Sequence, residues 1–312
     1  MATKKNGIVI LGIFAVDLAF RAARMPDIGE TLLGKGFVIG PGGKGSNQSV
    51  AAARAGGQVH FITRIGRDMF GDMALQTWTN EGIDTRHVTL MNDKPTGAAF
   101  IFVSTETGDN AIIVESGAAA DLSAQDMLAA EDTIAASAVF VAQLEQSMSA
   151  MQEGLRLARK HGVKTVLNPA PAAPLDDAVY PLCDFITPNE TEAQTLTGVA
   201  INNVDDARAA ANVLLGRGVG CVLITLGSQG ALLHDKTRSI LVPSFKVGQV
   251  VDTSGAGDAF NGGFAVALAE GKKLEDAVRF GCAVAGLSVT RAGTAPAMPS
   301  RTEIDKLLAA QS

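Results

Sequence analysis

Along most of its length the chain alternates short runs of valine, isoleucine and leucine with alanine-rich stretches of helical period. GIVILG at 7–12 reads as a strand buried on both faces, GSNQSVAAARAG at 45–56 as a helix, and VHFITRIG at 59–66 as another strand. MFGDMALQTWTNEG, from Met69, continues as a helix that turns Met73, Leu75 and Trp78 to the core. Further strands are expected at 138–144, 164–169, 184–189 and 220–227, with helices near 147–161, 189–197 and 204–217 between them. A strand that is apolar throughout must be covered on both sides, and intervening helices supply that cover. The expected fold is therefore α/β: a doubly wound, mostly parallel sheet with helices on both faces.

Two segments break this rhythm. Residues from about 13–40 and 94–117 read as short strands joined by turns, TETGDN at 105–110 being a hairpin turn. Strands without helices between them do not belong in a doubly wound layer, so they are expected to form a small antiparallel lid over one end of the main sheet. Near the end, Ser300 followed by Glu303 has the spacing of a capping box that opens a closing helix. With no repeat, low-complexity tract or linker, residues 1–312 are expected to make one domain with a β lid.

Bulk properties narrow the partners. The formal charge is −6 with no basic run, which argues against a nucleic-acid surface. Cys183, Cys221 and Cys282 are far apart and form no C-x-x-C pair, so neither a zinc site nor a disulfide framework is indicated. The apolar stretch in MATKKNGIVILG is too short for a signal peptide, and no run approaches the ~20 apolar residues that span a bilayer. A cytoplasmic protein that binds no membrane is expected.

Two glycine-rich stretches carry the chemistry. GPGGKG at 40–45 matches G-x-G-x-x-G, but a dinucleotide fingerprint should follow the first strand, where IFAVD has no such glycines. Neither G-x-x-x-x-G-K-[ST] nor the H-R-D and D-F-G pair of protein kinases occurs. GGKGSNQ reads better as a ligand-facing turn that opens a helix. Gly42 and Gly43 permit close backbone approach, and Lys44 and Asn47 offer donors on one side. A plain helix cap with an exposed lysine fits the same residues. In VVDTSGAGDAFNGG, at 250–263, Val250 and Val251 are expected to end a strand, Gly255 and Gly257 to form a turn, and Ala259 to Ala267 to continue as helix. Successive N–H groups at such a turn make a hollow for an anion. Asp258 could simply cap the helix. A carboxylate beside a transferring phosphoryl group is otherwise unfavourable unless it has a chemical task, and taking a proton from an attacking hydroxyl is that task.

With GGKGSNQ early and DTSGAGDAFNGG late, the chain resembles the PfkB-type, ribokinase-family carbohydrate kinases. LNPAPA (167–172), ITPNETEAQTLTG (186–198), LITLGSQG (223–230) and VTRAG (289–293) extend the resemblance from the first strand to the final helix. The resemblance implies transfer from ATP, with Mg2+, to the 5-hydroxyl of a pentose, ribose first among them, and a homodimer formed through the lid. It implies Asp258 as base, with Gly255, Ala256 and Gly257 lining the anion hole. Asp17, Gly43, Lys44, Asn47 and Glu145 would face the sugar, Asp17 closing strand one, where its carboxylate can accept from two neighbouring hydroxyls. Asn189, Thr225, Gly227, Ser228 and Gly230 would contact the nucleotide together with Gly257, and Cys282 would lie near the adenine. Glu192 falls at the magnesium-linked acidic position. A K+ loop would use Asp252, the carbonyls of Ser254, Ser288, Arg291 and Gly293, and position 297. Two positions depart from the ribokinase pattern. Ala15 stands where an asparagine precedes the sugar aspartate by two residues, and Ala297 replaces a polar residue, leaving only its carbonyl for a cation. Substrate variants on the same fold are 2-deoxyribose, a ketohexose or a nucleoside. The rival of another class is a non-catalytic sugar- or nucleotide-binding regulator.

Overall fold

Strand β1, Gly7–Leu11, is buried at every position, and its side chains divide between two apolar layers. Ile8 and Ile10 enter one cluster, Val9 and Leu11 the other, as the two-residue period of a strand requires. The computed structural model describes residues 5–311. Met1–Lys4, where the segment examined for a signal peptide begins, and Ser312 lie outside the described residues.

The remaining strands are β2 Ala15–Ala22, β3 Gly36–Gly42, β4 Gln58–Gly66, β5 Asp84–Met91, β6 Thr96–Ser104 and β7 Asn110–Gly117. They continue with β8 Val139–Ala142, β9 Lys164–Leu167, β10 Phe185–Ile186, β11 Cys221–Thr225, β12 Ala231–His234 and β13 Ser239–Val242. Nine of the thirteen strands of the described residues form one sheet in the order β13-β12-β11-β10-β9-β8-β1-β4-β5. Pairing is parallel from β5 to β11, and the last two strands are antiparallel. From β1 the chain winds outward to β4 and β5, then returns to lay β8 on the other side of β1. The order reverses between β1 and β8, where open α/β sheets form their binding crevice.

The helices are α1 Lys44–Arg54, α2 Met69–Asn80, α3 Ala124–Ala129, α4 Glu131–Ala136 and α5 Met148–Lys160. They continue with α6 Glu190–Thr197, α7 Val204–Gly216, α8 Ala256–Glu270, α9 Leu274–Ser288 and α10 Arg301–Ala310. α1, α2, α8, α9 and α10 contribute to the apolar layer on one face, α3 to α7 to the layer on the other. Trp78, on α2, is fully buried edge-on to Phe14 and Phe61 and gives its indole N–H to Ser46 at 2.9 Å. Burial of such a ring stabilises by about 1.5–3 kcal/mol. α10 opens with the reciprocal capping box of Ser300 and Glu303. All three cysteines are buried. Among the described residues no helix is long and apolar enough to cross a membrane.

β2, β3, β6 and β7 form a separate four-stranded sheet in the order β3-β2-β6-β7. β2 pairs with β6 in parallel; the other two pairings are antiparallel. This corrects two sequence expectations. The lid strands are not wholly antiparallel, and Asp17 does not close strand one: β1 ends at Leu11, and Asp17 sits inside β2 after the chain has left the main sheet. A third expectation also fails. Val250 and Val251 end no strand; both are 59% exposed in an irregular segment after β13. The N–H groups of Val251 and Asp252 go to the carbonyl of Val289, so no ladder forms there and β-branched propensity has nothing to pair with.

Candidate active site

α1 and α8 bring the two glycine-rich stretches together. Gly43, at φ +85°, caps α1, and Gly255, at φ +73°, caps α8; both lie in the left-handed region that glycine reaches without strain. The helices cross closely because Gly262 has no side chain: a Cβ there would stand 2.6 Å from the Cβ of Ala51. The amino-terminal turn of α8, with Asp258 as its third residue, therefore lies against Asn47 and Gln48 on α1.

Asp258 is 5% exposed. Its Oδ2 accepts from Asn47 Nδ2 at 3.1 Å and its Oδ1 from Gln48 Nε2 at 3.0 Å. Burial raises the pKa of this carboxyl above the ordinary aspartate value, and Lys44 and the two amides oppose the rise only in part. Lys44 responds in the opposite sense. Burial works to deprotonate it, but Asp258, Glu145 and Glu192 outweigh that effect and raise its pKa. One ammonium group thus serves several buried carboxyls. Glu145, just beyond β8, accepts from the Lys44 backbone N–H at 2.8 Å. Burial pushes its carboxyl up to about 7, Lys44 pulls it down, and Asp258 and Asp17 add repulsion. Asp17 is pushed up to about 6, chiefly by burial, despite a hydrogen bond from Thr294 at 3.4 Å. Ala15, two residues earlier on β2, shares the sheet face of Asp17 and is buried.

Asn189 and Glu192 form the capping box of α6: Glu192 N–H donates to Asn189 Oδ1 at 2.8 Å, and Asn189 N–H to Glu192 Oε2 at 2.9 Å. Burial raises the Glu192 pKa against the pull of Asn189 and Lys44. Lys44, Asn189, Glu192, Thr225 and Gly255–Asp258 line a cavity of about 140 Å³ at the carboxyl ends of the parallel strands. A larger groove of about 510 Å³ opens at the amino ends of β9, β10 and β11. There Arg159 and Arg238 are already paired with Asp184 and Asp235, and none of the predicted residues lines it. The smaller cavity is the one lined by sequence-predicted residues.

The lining of the cavity, with Lys44 and the amino-terminal turn of α8, suits an anion. A Cβ at Gly257 would meet nothing within 4 Å, so the first turn of α8 is open to an anion. Asn47 Oδ1 is buried without a hydrogen-bond partner, an acceptor set for a hydroxyl donor. Among the described residues no three His, Cys, Asp or Glu side chains converge as a metal cage. A divalent ion carried by phosphates needs only one or two carboxylates, and Glu192 lines the cavity.

Of the predicted sugar residues Asp17, Gly43, Asn47 and Glu145 do not line this cavity, nor do Gly227, Ser228, Gly230 and Cys282. Cys282 is buried on α9, and at Gly230, φ +107°, a Cβ would collide with Ser244 and its neighbours, so packing alone requires glycine there. The segment holding Asp252 docks on the one after α9. Asp252 Oδ2 accepts from Gly293 N–H and Oδ1 from Ser254 N–H, both at 2.9 Å, and the Val251 N–H bonds Val289. Ser288 and Ala297 are buried nearby in sequence, and Arg291 pairs with Glu303.

Sequence reasoning passed over Gln48, Gln143, Asn168 and Thr294. Gln48 and Asn168 lie inside quoted motifs, but nothing local in the sequence marks any of the four as a neighbour of Asp258 or Asp17.

Residues 5–301 match the pfkB family carbohydrate kinase profile. The chain is 43% identical over 299 residues to the ribokinase of Haemophilus influenzae, covering 96% of this chain and 97% of that one. It is 37% identical over 302 residues to the deoxyribokinase of Salmonella typhimurium, covering 96% and 98%. Among solved structures, Arabidopsis thaliana ribokinase complexed with ribose and ATP superposes with a TM-score of 0.90 at 31% identity, covering 97% of this chain and 99% of that one.

Proposed function

The chain belongs to the pfkB family of carbohydrate kinases, and we propose that it is a cytoplasmic kinase that phosphorylates the 5-hydroxyl of D-ribose with ATP. The observation that carries the reading is a buried carboxylate, Asp258, in the first turn of α8 directly behind the open Gly255–Ala256–Gly257 turn. In this reading ATP supplies the γ-phosphoryl group, and Mg2+, held by its phosphates and linked to Glu192, offsets their charge. Asp17, Gly43, Lys44, Asn47 and Glu145 bind and orient the sugar. Asp258 takes the proton of the 5-hydroxyl as that oxygen forms its bond to phosphorus, and the bond from phosphorus to the ADP oxygen breaks. The N–H groups of the 255–257 turn stabilise charge on the transferring group. Asn189, Thr225, Gly227, Ser228 and Gly230 hold the nucleotide, with Cys282 near the base.

Two further elements belong to the proposal. Asp252 with the carbonyls of Ser254, Ser288, Arg291, Gly293 and Ala297 binds K+ and shapes the anion-hole turn. The four-stranded sheet is a lid that also pairs two copies of the chain. Support for pairing comes from apolar side chains left in solvent on its strands, among them Phe37 at 53% and Ile113 at 68% exposure.

A second reading, 2-deoxyribose as substrate, is favoured by Ala15 at the position beside Asp17 and by the similarity to a deoxyribokinase. ADP release on mixing with ATP and a sugar panel tests both. Turnover with ribose supports the first, preferential turnover with 2-deoxyribose the second. Binding of sugar and ATP without ADP release from any pair would instead establish a non-catalytic regulator.

A further inference from the structure

Behind the cavity, two buried amides, Gln143 and Asn168, converge on a third, Gln48, which touches Asp258. Gln48 and Gln143 are fully buried and do not line the cavity; Asn168 lies at its floor. Gln48 Nε2 donates to Asp258 Oδ1 at 3.0 Å and to Asn168 Oδ1 at 3.1 Å, while its Oε1 accepts from Gln143 Nε2 at 2.7 Å.

The direction of every amide follows from two groups that can only accept. An ionised Asp258 has no proton to give, so Gln48 must turn its nitrogen toward it. The Thr187 carbonyl likewise draws Asn168 Nδ2, at 3.1 Å, which leaves Asn168 Oδ1 for the second N–H of Gln48. Gln48 Oε1 is then free only for the nitrogen of Gln143, whose own oxygen stays buried without a hydrogen-bond partner. A chain of amides oriented at that cost is aimed at one oxygen of one carboxylate.

We propose that Gln48 is the positioning residue of the base: it holds Asp258 by Oδ1, so that Oδ2 receives the proton of the sugar hydroxyl. The inference rests on the general-base reading of Asp258 given above. Without Gln48 the carboxylate keeps only the Asn47 contact at Oδ2, and Oδ1 is no longer held against rotation about the Cβ–Cγ bond. With it, the proton arrives on Oδ2 while Oδ1 remains an acceptor, so the hydrogen bonds behind the base need no rearrangement during transfer.

The test is kinetic. Gln48→Met keeps an unbranched buried side chain and removes both donors. The charged groups facing Asp258 are Lys44 on α1, Asp17 on β2, Glu145 after β8 and Glu192 on α6, and all are untouched. The expected result is a fall in kcat of roughly 10–100-fold with sugar KM within about threefold of the parent. The acid limb of the kcat profile should also move up by about one pH unit, because the lost hydrogen bond favours the ionised base. A lower Tm with parental kcat, KM and acid limb would make Gln48 a packing residue and overturn the proposal. If Gln48→Met does not fold, Gln143→Met decides. It leaves Gln48 in place but releases its Oε1, and a smaller upward shift of the same limb is expected; a parental limb and kcat overturn the proposal. The parent is the control for the underlying reading: no ADP release with any sugar sinks the kinase assignment whatever the variants do.

Discussion

Replacing Asp258 by asparagine removes the proposed base while changing the shape of the site very little. Gln48 Nε2 and Asn47 Nδ2 both donate to the carboxylate, at 3.0 and 3.1 Å. An asparagine has one oxygen to offer, which Gln48 keeps. Its Nδ2 then faces Asn47, and Asn47 can turn its unpartnered Oδ1 to accept from it. The constellation therefore survives with its polarity reversed at one contact. What is lost is the ability to take a proton. Loss of a general base costs on the order of 10²–10⁴-fold, or about 3–5.5 kcal/mol in the barrier. Asp258→Asn should fall at the upper end, since no other carboxylate shares these hydrogen bonds. Stability should move the other way. Burial raises the Asp258 pKa above its ordinary value, so at neutral pH the ionised group opposes folding and its neutral replacement relieves that cost. The assay is coupled ADP release under saturating ATP, with sugar KM, nucleotide binding and Tm measured on the same preparation. The expected outcome is kcat down by about 10³–10⁴-fold, KM within a few-fold, and Tm unchanged or higher. A kcat within tenfold of the parent, in protein verified by mass to be free of deamidated material, would remove Asp258 from the mechanism.

Glu145→Gln should raise Tm at pH 8 and leave it unchanged at pH 4. The folded-state pKa of about 7 lies above the ordinary 4.5, so the stability difference is absent below 4.5, grows as pH rises from 4.5 to 7, and is complete, at about 3 kcal/mol, above 7. Equal Tm gains at both pH values would refute the linkage. KCl should raise the rate at constant ionic strength, with an affinity weakened by the alanine at 297; a response no different from that to choline chloride would dismiss the cation site. Ala15→Asn should shift kcat/KM toward ribose over 2-deoxyribose by about 10–100-fold, well short of the 10⁴–10⁵ that a fully committed hydroxyl site can reach. An overwhelming preference for ribose in the parent, unchanged by the substitution, would make Ala15 neutral.

The alternation of apolar runs with alanine-rich stretches was enough to determine the doubly wound sheet, because a strand such as GIVIL, buried on both faces, has no stable alternative to helices on either side. The glycines of GGKGSNQ and DTSGAGD marked both helix starts for a similarly local reason: positive φ at Gly43 and Gly255 is a property of single residues. Valines 250 and 251 misled because strand propensity is realised only against a neighbouring strand, and none runs there. Asp17 was assigned to the wrong strand because nothing local says that the chain leaves the main sheet after Leu11. Tertiary structure alone decided what surrounds Asp258. Gln48 and Gln143 are 95 residues apart in sequence and Asp258 is 210 from Gln48, so their hydrogen bonds exist only once α1, α8 and β8 meet at the switch point of the sheet. The raised pKa values of Asp17, Glu145 and Asp258 arise the same way. A carboxyl's titration is set by the water it loses and the charges it meets, and only the folded chain brings four acids, Asp17, Glu145, Glu192 and Asp258, around one lysine.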